Sequence, residues 1–106
     1  MPDFFLNAVS YINSDYSEND LTIEKICKKS GICATNLRSF FKKYYNKTPT
    51  AYIMQLRMER ARNLIACGMT IEQAAEKSGF NDSKYFARAV KKYFNCTPRE
   101  LRSYGK

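Results

Sequence analysis

Residues 21–31 read LTIEKICKKSG, and residues 69–79 read MTIEQAAEKSG. Thr22, Ile23, Glu24, Lys29, Ser30 and Gly31 recur as Thr70, Ile71, Glu72, Lys77, Ser78 and Gly79, an offset of 48. Further along, FFKKYYNKTP (40–49) returns as AVKKYFNCTP (89–98), now at an offset of 49. Self-similarity at a fixed period marks a duplicated supersecondary unit. The chain therefore holds two copies of one unit of about 28 residues, joined by about 20 residues. The second copy carries one extra residue, expected in the Asn81-Asp82 turn.

Each copy reads as helix, short turn, helix. In the first, Thr22 is an N-cap with Glu24 in the positively polarised first turn. Ile23, Ile26 and Cys27 share one face at helical spacing, and Gly31 supplies the stop. A second helix spans about 34–45, with Leu37, Phe40, Phe41, Tyr44 and Tyr45 on its apolar face. In the second copy Thr70 and Gln73 have capping-box spacing. Ile71, Ala74 and Ala75 point inward and Gly79 ends the helix. Asp82 then caps a helix over 83–94 with Tyr85, Phe86, Ala89, Val90 and Tyr93 inward. Cys27 aligns with Ala75, a small packing position. Asn46 and Asn95 follow the longer helices, where a left-handed residue is expected and Asn tolerates it.

Thr48-Pro49 places an N-cap before Pro at the first helical position. It opens a linker helix of about 19 residues, roughly 28 Å long, with Tyr52, Ile53, Leu56, Ala61, Leu64 and Ile65 as its stripe and Gly68 as its stop. Arg57, Glu59, Arg60 and Arg62 on it have ion-pair spacing. A first helix over about 4–14 packs through Phe5, Ala8, Val9 and Ile12, and a last one starts at Thr97-Pro98 with Glu100 completing a capping box. The expectation is an all-α fold of about seven helices: two helix-turn-helix subdomains on a long linker helix, within one domain over 1–106. Its parts are a first helix-turn-helix (21–46), the linker (48–67), a second helix-turn-helix (69–95) and a C-terminal helix (97–103).

The chain has 106 residues, a formal charge of +8, no His, no Trp and four Gly. Without His there is no Ser-His-Asp or Cys-His catalysis and no His-ligated zinc or haem. No Gly-rich phosphate loop or shared face of carboxylates is visible, so no enzyme is expected. Cys27, Cys33, Cys67 and Cys96 lack C-x-x-C spacing, which argues for reduced thiols and against a metal site; no cofactor is expected. No apolar run approaches the ~18 residues of a membrane span. The start MPDFFLNAVSYINSDY lacks the basic segment of a signal peptide, so a cytoplasmic protein without membrane contact is expected. Residues 1–20 sum to −4, whereas residues 21–106 sum to +12. A basic body points to a polyanionic partner. A helix fits the ~12 Å major groove of B-DNA, and successive major grooves on one face lie ~34 Å apart. Two helix-turn-helix units on one rod therefore suggest paired groove readers on double-stranded DNA.

The segment YIMQLRMERARNLI (52–65) with MTIEQAAEKSGFNDSKYFARAVKKYFNCTPRELR (69–102) closely resembles the AraC/XylS family of bacterial transcription regulators. The pattern A-x-x-x-G-F-x-x-x-x-Y-F-x-R-x-x-K-K-x-F-x-x-T-P, from Ala75 to Pro98, carries the resemblance; the first copy fits more loosely. The early segment VSYINSDYSENDLTIEKI looks most like the C-terminal output domains of YesN-type two-component response regulators. The resemblance implies sequence-specific DNA binding by two helix-turn-helix motifs in successive major-groove segments, and transcription regulation. It also implies contact with RNA polymerase subunits and an N-terminal receiver or sensor domain outside this chain. The alternative is a protein-interaction module that docks on the transcription machinery without reading DNA.

By position, the family's base contacts fall on Thr35, Asn36, Arg38 and Ser39 in the first copy and on Ser83, Lys84, Ala87 and Arg88 in the second. Arg suits guanine, Asn suits adenine, and the Ala87 methyl suits a thymine methyl. The family usually has Arg at the place of Ser39, whereas here Arg stands one position earlier, at Arg38. Val90 replaces the usual Phe. Lys42, Lys43, Lys91 and Lys92 are the expected phosphate contacts.

Overall fold

The computed structural model describes residues 2–18 and 20–100. Six helices follow in order: α1 (Asp3–Asp15), α2 (Ile23–Ser30), α3 (Ala34–Tyr45), α4 (Pro49–Ala66), α5 (Ile71–Lys77) and α6 (Ser83–Phe94). Residues 98–100 begin a further helical turn, and no strand occurs among the described residues. The remainder of the expected C-terminal helix, 101–103, lies outside them. Helices α2 and α5 start 48 residues apart, and α3 and α6 start 49 apart. The extra residue of the second copy thus lies between its two helices.

Thr side chains cap four helix starts by the same short link. Thr22 Oγ1 accepts from Lys25 N–H (3.2 Å), Thr48 Oγ1 from Ala51 N–H (3.1 Å), Thr70 Oγ1 from Gln73 N–H (3.1 Å) and Thr97 Oγ1 from Glu100 N–H (3.3 Å). Each bond satisfies a donor that the first helical turn leaves unpaired. At Thr97 the box is reciprocal, because Glu100 Oε1 accepts the Thr97 N–H at 3.1 Å. That N–H holds the exposed Glu100 carboxyl below its usual value. At the other ends, Asn46 (φ 57°) and Asn95 (φ 63°) adopt the left-handed conformation after α3 and α6. These were the positions the sequence marked for it.

The described residues form two compact units, one of residues 2–16 and 20–56 and one of residues 17–18 and 57–100. Helix α4 contributes residues up to Leu56 to the first and from Arg57 to the second.

The first unit is built around an aromatic cluster. Phe5, Ala8, Val9 and Ile12 of α1 are all buried, with Ile26, Ile32, Leu37, Phe41 and Ile53. The Phe5 ring lies 5.1 Å from Phe41, edge to face, 5.6 Å from Phe40 and 5.6 Å from Tyr44. Edge-to-face and offset arrangements of this kind align the positive ring edge with a negative face. Tyr52 of α4 completes the cluster against Phe41, and its hydroxyl donates to Asn13 Oδ1 at 2.8 Å.

The second unit buries Met58, Ala61 and Ile65 from α4, Ala74 and Ala75 from α5, Phe80 from the turn, and Phe86 and Val90 from α6. Met58 was absent from the stripe read in the sequence, yet it is fully buried. Two other expectations are corrected. Tyr85 and Tyr93, placed inward by the apolar pattern, are about half exposed, 50% and 45%. Each carries a polar hydroxyl that favours the rim. The arginines of α4 find carbonyls and a ring. Arg57 donates to Glu18 O (2.9 Å), Arg60 to Lys77 O (3.0 Å), and the Arg62 guanidinium lies 5.7 Å from the Phe94 ring centre.

Phe5 is fully buried and its ring meets those of Phe40, Phe41, Tyr44 and Tyr45. Phe5→Ala is therefore expected to destabilise the protein by about 3–5 kcal/mol. A urea titration followed by circular dichroism checks this, and a loss below about 1 kcal/mol would show that the ring cluster is not what holds the unit.

Candidate nucleic-acid interface

The roll of each reading helix is set by two buried side chains four residues apart. Leu37 and Phe41 hold α3, and Phe86 and Val90, their counterparts at the offset of 49, hold α6. Residues on the opposite side of each helix must then face solvent. In α3 Thr35, Asn36, Arg38 and Ser39 are exposed, together with Lys42 and Lys43 in the last turn. In α6 Ser83, Lys84 and Arg88 are exposed, with Lys91 and Lys92 in the last turn, while Ala87 is half-buried. The expected contact residues of each copy thus share one helix face within their own unit.

One further exposed residue occupies an equivalent position. At the offset of 49, Thr35, Asn36, Arg38 and Ser39 correspond to Lys84, Tyr85, Ala87 and Arg88. The counterpart of Asn36 is Tyr85, an exposed residue on the solvent face of α6. Its ring centre is 6.2 Å from that of Phe80. It lines an open groove of about 420 Å³ with Arg57, Asp82 and Arg88, among others, at the start of α6. The repeat alignment contained this signal, and the hydrophobic pattern obscured it. Burial in the same region pushes the Arg57 guanidinium down from its ordinary value.

The two helix starts differ. Asp82 Oδ1 accepts the Lys84 N–H at 2.9 Å, whereas Cys33, at the same place before α3, makes no side-chain cap bond. Cys27 is half-buried, and burial raises its thiol. Among the described residues no group of three or more His, Cys, Asp or Glu is arranged to hold a metal. None of their helices is long and apolar enough to cross a membrane.

Against known proteins, the family model described as a helix-turn-helix domain matches residues 20–104. The uncharacterized HTH-type transcriptional regulator in the cgkA 5′ region of Pseudoalteromonas carrageenovora is 33% identical over 96 residues, 91% of this chain. The chain spans 57% of that relative's length. The C-terminal domain of the two-component response regulator yesN from Fusobacterium nucleatum has a similar structure, with a TM-score of 0.84 and 29% identity, over 90% of this chain and 93% of that one. The C-terminal domain of AraT, a response regulator from Geobacillus stearothermophilus, matches with a TM-score of 0.91 and 25% identity, over 97% and 86%.

Asp82→Ala is expected to cost about 1 kcal/mol by removing a cap, whereas Cys33→Ser supplies one and stabilises by up to about 1 kcal/mol. Thermal melts of the two variants check the opposite signs. Shifts of the same sign would show that the caps do not set the stability of the reading helices.

Proposed function

This chain belongs to the AraC/XylS family of helix-turn-helix regulators, and on that premise we propose that it binds double-stranded DNA sequence-specifically and regulates bacterial transcription. In this reading α3 and α6 enter two successive major-groove segments of one duplex. The observation that carries it is the matched pair of solvent faces, each presenting an exposed Arg and ending in two lysines. Arg38 and Arg88 supply forked donors for guanine O6 and N7, and Asn36 supplies the donor–acceptor pair that suits adenine. Tyr85 joins Ser83, Lys84, Ala87 and Arg88 on the second face, while Thr35 and Ser39 flank Arg38 on the first. Lys42, Lys43, Lys91 and Lys92 contact phosphates, which position a protein without specifying sequence. The binding unit of this reading is one domain over 1–106, with helix-turn-helix motifs at 21–46 and 69–95 joined through α4.

Likeness to two response-regulator C-terminal domains supports a role as the output module of such a regulator, with a receiver or sensor domain as its N-terminal partner. RNA polymerase subunits are the further protein partners of this reading. Phe4 and Leu6 on the acidic first helix, 60% and 48% exposed, favour protein contact there. The site of action is the cytoplasm, where the DNA is, and the role is binding without catalysis.

Selection from a randomised duplex pool tests specificity directly. Two enriched elements about 10–10.5 base pairs apart are expected, and a pool with no enriched motif would instead favour a module that binds only protein. Affinity for the selected site should fall steeply with salt, as for roughly six to ten phosphate contacts; a flat titration would contradict the reading. Arg88→Ala should weaken the selected site by ~1–3 kcal/mol and relax preference at one base pair. Equal weakening on every sequence would make Arg88 a phosphate ligand.

A further inference from the structure

The two copies share their architecture but not their charge. Residues 21–46 carry six cations against one anion, a sum of +5, whereas residues 69–95 carry five cations against three anions, a sum of +2. The reading helices do not account for the difference, because α3 has three cations, Arg38, Lys42 and Lys43, and α6 has four, Lys84, Arg88, Lys91 and Lys92. The excess lies on α2. Its Lys25 and Lys28 are replaced in α5 by Gln73 and Glu76, and only Lys29 is kept, as Lys77.

In the first unit these three lysines are brought together. With Tyr11 of α1 they line a groove of about 490 Å³. Positions 25, 28 and 29 follow the i, i+3, i+4 spacing that puts side chains on one helix face. All three lysines are exposed, while Tyr11 is half-buried and packs on the core below. Asp20 pairs with Lys25 at 2.5 Å, and that ammonium holds the Asp20 carboxyl below its usual value. With Asp20 counted, the groove keeps a net charge of +2. Such a rim, held on a folded helix pair, lies outside the α3 face that would read base edges.

We propose that this α1–α2 groove binds backbone phosphates of duplex DNA beyond the base pairs contacted by α3. The inference rests on the DNA-binding reading above and adds a site to it. An ammonium is a compact, strongly hydrated charge that suits phosphate oxygens and carries no base preference. The first motif then supplies more of the electrostatic attraction than the second, and the footprint on DNA extends further on its side. An acidic protein segment is the other occupant such a rim accepts, and the test separates the two.

The test is a salt titration by fluorescence anisotropy on a duplex containing the selected site with long flanks. It compares the wild-type chain, Lys28→Gln/Lys29→Gln, and Lys77→Gln as the second-copy control. Each lost phosphate contact lowers the slope of log K against log salt by about 0.9. The double variant is expected to lose between about 1 and 2 in slope, with affinity reduced roughly ten-fold or more at low salt and little changed at high salt. The enriched motif should stay the same. Lys77→Gln should lose less. Cutting the duplex back on the side of the first motif should weaken the wild type but not the double variant. Circular dichroism confirms that both variants are folded, since they change exposed side chains only. If the wild type binds and the double variant keeps its slope, the groove is not a DNA site and an acidic protein segment becomes its occupant. If the wild type itself binds no duplex, the DNA-binding reading falls, and this inference with it.

Discussion

Each reading helix is fixed by an i, i+4 pair of fully buried side chains, Leu37 with Phe41 and Phe86 with Val90. Two anchors one turn apart leave a helix little freedom to roll, because rolling would expose one anchor and force a polar neighbour inward. Burying a side chain of this size stabilises by about 1.5–3 kcal/mol, so the pair outweighs any single cap or surface ion pair. The exposed residues are consequences of that constraint. Thr35, Asn36, Arg38 and Ser39 face solvent because Leu37 and Phe41 cannot.

The anchors are met by different cores. In the first unit Phe41 packs in a cluster of rings gathered around Phe5, contributed by a helix that precedes the repeat. In the second unit the facing positions are small, Ala74 and Ala75, and Phe80 from the turn comes within 5.0 Å of the Phe86 ring. The extra residue before α6 lies in the stretch that carries Phe80 and the capping Asp82. The duplication thus keeps the helix geometry while each copy solves its packing with different side chains.

Much of this was legible in the sequence because the signals are local. Thr caps, Asn in the left-handed conformation and the four inward residues of α1 each depend on a few neighbouring positions. The errors arose where apolar character alone decided the assignment. Tyr85 and Tyr93 were turned inward as hydrophobic residues, although their hydroxyls are better served at the rim. Met58 was passed over because α4 serves two cores and its buried positions do not follow a single stripe. Nor did spacing along α4 reveal that carbonyls at Glu18 and Lys77, distant in sequence, accept from Arg57 and Arg60. The solvent-facing residues of the interface were placed by the family resemblance, and the repeat, which identifies equivalent positions without regard to polarity, adds Tyr85.

The divergence of the two solvent faces has a geometric meaning. A symmetric dimer presents the same face twice, so its DNA site reads alike from either end. Here one face carries Thr35, Asn36, Arg38 and Ser39, and the other Lys84, Tyr85, Ala87 and Arg88, in a fixed covalent order. Exchanging the two ends of a bound site would bring each face against the wrong bases. On the proposed function the site therefore has a direction. A single bound chain would distinguish upstream from downstream, so that whatever it recruits is presented towards one side only.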